Sequence, residues 1–105
     1  MPKKMPTMSF TTLRMYTEKF QWNDRTTGEL RKGFNPPEDA LNKERIPFFI
    51  RHITREGKVE EGMVTCISVC PERLQREIKY MKSGEIRTVR DYLVIEVDGT
   101  RFLTH

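Results

Sequence analysis

Apolar and polar residues alternate along most of residues 48–104, and that period sets the expected architecture. Phe48 to Thr54 reads as a strand. Glu56-Gly57 follows as a short turn, because glycine accepts the backbone that tight hairpins need. Lys58 to Cys70 reads as a long second strand, with Gly62 marking a bulge or bend. Pro71 to Leu74 is a connection and Arg76 to Lys82 a third strand. Ser83-Gly84 is the next tight turn, ahead of a short strand from Ile86 to Arg90. Tyr92 to Val97 is the most hydrophobic segment and reads as another strand. Asp98-Gly99 is the strongest turn signal in the chain, and Arg101 to Thr104 folds back behind it.

The first half is less regular. Residues 1–8 carry two prolines and two lysines and read as a mobile tail ahead of one small β domain over residues 9–105. Ser9 to Trp22 is rich in Thr, Phe, Tyr and Met, which suits a strand. Leu13, Tyr16 and Phe20 also fall at helical spacing, so a helix stays open there. Asn23 to Gly33 holds turn formers and charges and reads as a loop pivoting on Gly28 and Gly33. Pro37 to Arg45 reads as a short helix: Asn35 caps it, prolines suit its first turn, and Pro47 ends it. The alternative is an ordered loop with one helical turn.

Short strands joined by two-residue turns form a meander. The expected fold is therefore mainly β. It is a small curled antiparallel meander or SH3-like open barrel of about five to six strands with one short helix. The N-terminal strand would close or cap it and the helix would plug one end. Alternation assigns the core to Phe48, Ile50, Val64, Ile67, Val69, Ile78, Leu93, Ile95 and Val97, and a one-residue slip would exchange some of these.

A length of 105 residues suits one domain with a thin core. At 36% hydrophobic and 32% charged, the chain is polar but too rich in Phe, Ile and Val for general disorder. No apolar run approaches the roughly 18 residues of a membrane span, so no membrane partner is expected. No hydrophobic region follows Met1 to Pro6, so no secretory signal is expected. The expected compartment is the cytoplasm, where Cys66 and Cys70 would be reduced. The net charge of +4 is uneven. Residues 1–35 hold seven Lys/Arg against three acids, 7 − 3 = +4, and residues 36–105 hold twelve of each. Such asymmetry suits an acidic partner such as nucleic acid, or simply a solvated basic arm.

Candidate chemistry is sparse. Cys66 and Cys70 would share a strand face roughly 13 Å apart, too far for a disulfide. Their spacing does not suit zinc, and only His52 and His105 could complete a ligand set. They read as buried structural thiols. His52 lies in an apolar strand with no nucleophile or orienting acid identifiable by motif. Glu96 and Asp98 share a face, and Glu60 and Glu61 are adjacent, as exposed strand carboxylates commonly are. No phosphate loop, dinucleotide fingerprint, nucleophile elbow or HExxH occurs. No enzyme activity, metal or cofactor is expected.

The most suggestive feature is basic. Arg76, Lys79, Lys82, Arg87 and Arg90, with Arg73, fall in one strand–turn–strand stretch against Glu72, Glu77 and Glu85, and several would share a face. With Tyr80 and Tyr92 nearby, this is a surface suited to tracking phosphates and stacking bases. Phe10, Arg14, Tyr16, Lys19, Phe20, Trp22 and Arg25 would extend it. The plainer account is that a hairpin needs solvated side chains, and that Arg and Lys guard its edge against aggregation.

Ile78-Lys79-Tyr80, Ser83-Gly84, Arg87-Thr88-Val89, Leu93, Asp98-Gly99 and Phe102-Leu103 together resemble the core of WYL-type ligand-sensing domains, over about a quarter of the chain. The resemblance implies an SH3-like barrel. The family's Trp-Tyr-Leu signature falls on Arg101-Phe102-Leu103, where leucine alone matches, so no ligand site is carried over.

Three functions are then weighed. The first is a non-catalytic module binding nucleic acid through the basic hairpin face. The second is a protein–protein assembly or accessory module, such as a homodimer or a mobile-element or phage-type protein. The third is a small enzyme, for which the sequence offers no residue set.

Overall fold

The computed structural model describes residues 10–101. The expected tail, residues 1–8, lies outside them, as do Phe102 to His105. The described residues fold into one short helix and nine strands in two antiparallel sheets.

Phe10–Thr17 forms helix α1, so the helical spacing decides over β propensity here. Leu13 and Thr17, one turn apart, are the residues it buries. The Thr17 hydroxyl donates to the Leu13 carbonyl at 3.0 Å, and Arg14 pairs with Glu18 along the exposed side at 3.3 Å. The strand expected over Ser9 to Trp22 is confined to its end, Phe20–Asn23 (β1).

β1 is the middle of a small sheet with Leu30–Gly33 (β2) on one side and Leu41–Arg45 (β3) on the other. Two expectations change here. The loop after β1 is shorter than expected, because Asp24 closes it: its carboxylate accepts the Thr26 and Thr27 amides at 2.8 and 3.0 Å. These bonds hold the Asp24 carboxyl below its ordinary pKa. The helix expected over Pro37 to Arg45 does not form. One turn, closed by the Ala40 amide on the Pro37 carbonyl at 3.1 Å, is followed by β3. Pairing with β1 overrides local preference there.

The larger sheet is the expected curled meander. Its strands are Phe48–Ile53 (β4), Val59–Cys70 (β5), Gln75–Tyr80 (β6), Ile86–Arg90 (β7), Val94–Val97 (β8) and Thr100–Arg101 (β9). Their order is β7-β6-β5-β4-β8-β9, so β8 returns across the meander to pair with β4. The sheet stays open and does not close into a barrel. β5 bends it: the first half, to Val64, pairs with β4, and the half from Val64 onward pairs with β6.

The core forms on the inner face from Phe48, Ile50, Val64, Cys66, Ile78, Val89, Val94 and Val97, with Leu13 of α1 packed on it. Five of the nine expected core residues are buried there: Phe48, Ile50, Val64, Ile78 and Val97. The others are displaced by irregularities. Gly62, where a bulge or bend is expected, pairs in unbroken register with Ile50; the bulge falls between Cys66 and Ser68, and it turns Ile67 out to 43% exposure. A register shift opposite Arg51 and His52 leaves Ile95 half-buried, and a 3-10 turn over Asp91–Leu93 delays the last long strand to Val94. Val69 packs half-buried against the core.

Candidate nucleic-acid interface

The register of β6 and β7 decides which basic side chains share a face. Gln75 pairs with Arg90, Glu77 with Thr88 and Lys79 with Ile86. Cross-strand partners point the same way, so Lys79 and Arg90 both lie on the outer face, at opposite ends of the ladder with Glu77 between them. The alternate pairs are Arg76 with Val89 and Ile78 with Arg87. Arg76, Val89 and Ile78 are buried, so Arg76 and Arg87 lie on the inner face. Lys82 is exposed in the turn. The five candidate residues are therefore split between two faces.

Arg76 is 3% exposed and fully engaged. It holds Asp91 through two hydrogen bonds, Glu18 through one at 3.0 Å, and the Thr17 hydroxyl through another. Burial opposes its charge, but the Asp91 and Glu18 carboxylates outweigh burial and keep its pKa above the ordinary value. This network ties the end of α1 to β6 and to the turn after β7. The Asp91 amide adds a backbone bond to the Leu74 carbonyl at 2.7 Å.

Arg87 is engaged from the other side. It pairs with Glu85 at 2.6 Å and with Glu60 of β5 at 3.7 Å. Beneath it, His52 Nε2 lies 2.9 Å from the Tyr80 hydroxyl, which reaches Glu60 at 3.5 Å. Contacts from β4, β5, β6 and β7 meet here, which only a strongly curled sheet permits. Burial lowers the His52 pKa, with Glu60 pulling the opposite way. Burial and then the Glu60 charge push Tyr80 up to about 12. Gly62 makes room for the Tyr80 ring, since a methyl there would lie 3.0 Å from Tyr80 Cε1. His52 is 2% exposed, and its Nδ1 has no hydrogen-bond partner among the described residues.

The curl creates a cleft of about 360 Å³ between the β4–β5 turn and the end of β7. Arg55 and Arg90 both line it, and no carboxylate does. Neither arginine has an acidic partner among the described residues; Arg90 instead donates to the Tyr92 hydroxyl at 3.3 Å. Thr54, Gln75 and Thr88 supply neutral polar groups, and Ile53, Leu93 and Tyr92 supply apolar surface. Sequence reading singled out Arg90 and Tyr92 but missed Arg55. Its only signal was its place beside the Glu56-Gly57 turn.

A second, wider groove of about 670 Å³ separates the two sheets. Phe20, Pro47, Ile67 and Met81 give it apolar walls, and Lys43, Glu44 and Arg45 give it charges of both signs. Arg45 stacks 4.0 Å from the Phe20 ring centroid. Of the other aromatic residues expected to extend the basic face, Trp22 covers Gly33 of the small sheet. The side chain of Phe10 lies outside the described ones.

Both cysteines are free thiols, and burial raises the pKa of Cys66. Among the described residues no group of His, Cys, Asp and Glu is placed to hold a metal ion, and no helix is long and apolar enough to cross a membrane. Comparison with protein-family models, curated proteins and solved structures finds no match to the chain.

Proposed function

We propose that this protein is a non-catalytic module that binds nucleic acid through the cleft holding Arg55 and Arg90, along the outer face bearing Lys79 and at the turn bearing Lys82. The observation that carries the reading is the convergence of two guanidinium groups, free of acidic partners among the described residues, on a cleft with no carboxylate. A planar, permanently charged donor fork suits phosphate oxygens. Arg76 and Arg87 are left out of the surface, because each is already matched to carboxylates of its own chain. The non-catalytic reading draws on His52, which is 2% exposed and bonded to a Tyr80 hydroxyl that burial and Glu60 push up to about 12.

The test is anisotropy of a labelled oligonucleotide titrated with protein at about 50 and about 200 mM salt. Four phosphate contacts predict an affinity loss of roughly 50-fold across that range. Absence of binding at the lower salt would sink the reading.

Protein assembly is the second reading, and the inter-sheet groove favours it. Ile67 and Met81 in its wall are 43% and 56% exposed, and Met63, whose carbonyl accepts the Met81 amide, is 48% exposed. That reading expects a mass that rises with concentration.

A further inference from the structure

The composition of the cleft goes beyond attraction for phosphate. A site for backbone phosphates alone needs only charge. This one combines charge with apolar surface and with neutral hydrogen-bonding groups. Tyr92 is 40% exposed, and Leu93 and Ile53 are half-buried beside it. Gln75 and the hydroxyls of Thr54 and Thr88 can donate and accept. At about 360 Å³ the cleft lies in the size range of small-ligand sites, and it suits one nucleotide unit.

We propose that the cleft receives one nucleotide of a single strand, with its base against Tyr92 and its phosphate on Arg55 and Arg90. This rests on the nucleic-acid reading and adds the form of nucleic acid it selects. A base inside a duplex has both faces stacked and its pairing edge used, so it cannot enter. An unpaired base offers a face to the ring and an edge to Gln75, Thr54 and Thr88. The bond from Arg90 to the Tyr92 hydroxyl holds the guanidinium beside the ring. The backbone then leaves the cleft along the face that Arg90 shares with Lys79, four residues along the ladder or roughly 13 Å, passing Glu77, whose carboxylate accepts from the Ser68 hydroxyl at 2.8 Å.

The probes are a labelled oligo(dT) of about 12 nucleotides and a hairpin duplex of similar charge, titrated at about 50 mM salt. The proteins are the wild type, Tyr92→Ala, Tyr92→Phe, Arg55→Glu and, as a control, Arg87→Ala. The expected result is binding of oligo(dT) at least about tenfold tighter than the duplex. Tyr92→Ala should lose about tenfold for oligo(dT), and Tyr92→Phe should keep most of the affinity. Both substituted sites are exposed, so the fold should persist, which a thermal melt checks. Arg55→Glu, independent of the ring, should also lose oligo(dT) binding. Equal affinity for the duplex, or full affinity in Tyr92→Ala, would overturn the single-strand proposal and leave nucleic-acid binding standing. Binding of neither probe would overturn both.

Discussion

The guanidinium of Arg76 donates to both carboxylate oxygens of Asp91, Nε to Oδ1 at 2.9 Å and a terminal nitrogen to Oδ2 at 3.3 Å. Asp91 opens the 3-10 turn after β7, and its chain neighbours are Arg90 and Tyr92. A residue whose charge suggested a surface role is therefore a positioning residue. From inside the fold it fixes the turn that presents two cleft residues.

Replacing Arg76 with methionine should leave the buried Asp91 carboxylate without its partner, while the half-buried Glu18 keeps Arg14. Breaking a buried pair from one side costs about 3–5 kcal/mol. The loss should appear as a lower urea midpoint. Arg76→Lys should recover only part of it, because an ammonium cannot make the forked contact with Asp91.

His52 sets a pH dependence at the acid side. Burial places its folded-state pKa below the ordinary 6.5. The unfolded chain then takes up the proton first, so stability is full above 6.5 and declines as pH falls below it. Urea unfolding at about pH 7.5 and about pH 5 should show the decline, and His52→Gln should flatten it. An unchanged slope in that variant would remove His52 as the cause.

Tyr80 acts at the alkaline side with the opposite sign. Its folded pKa of about 12 lies above the ordinary 10.0, so the stability it contributes is present below 10 and is lost as pH rises toward 12. Ultraviolet titration of the native protein should show one of its three tyrosines ionising late, and Tyr80→Phe should remove that step.

Gly62→Ala should be costly for a reason unrelated to turn chemistry. The new methyl would meet the Tyr80 ring at 3.0 and 3.1 Å, against a ring held by His52. Overpacking of this kind costs about 1–3 kcal/mol. A drop in melting temperature should accompany it, and Tyr80→Leu should relieve the clash in the double variant.

The strands from Phe48 onward were legible because an antiparallel sheet with one buried face imposes a period of two. Phe48, Ile50, Val64 and Ile78 follow it without interruption. The residues that break the pattern, Ile67 and Ile95, sit where two strands differ in count by one, and alternation carries no information about such insertions. Leu41–Arg45 became a strand because β1 offered a free edge, a property of another segment. The candidate site was only partly legible for the same reason. Arg90 and Lys79 could be read from the hairpin. The burial of Arg76 depends on acids at positions 18 and 91, and the approach of Arg55 depends on curl accumulated over the larger sheet.

The most direct test of the account compares salt dependence in two hairpin arginines. Log affinity for oligo(dT) is measured against log salt for wild type, Arg90→Ala and Arg87→Ala. The account predicts that Arg90→Ala makes the slope shallower by about 0.7, the loss of one phosphate contact, while Arg87→Ala keeps the wild-type slope. Equal flattening in both variants, or a wild-type affinity indifferent to salt, would contradict it.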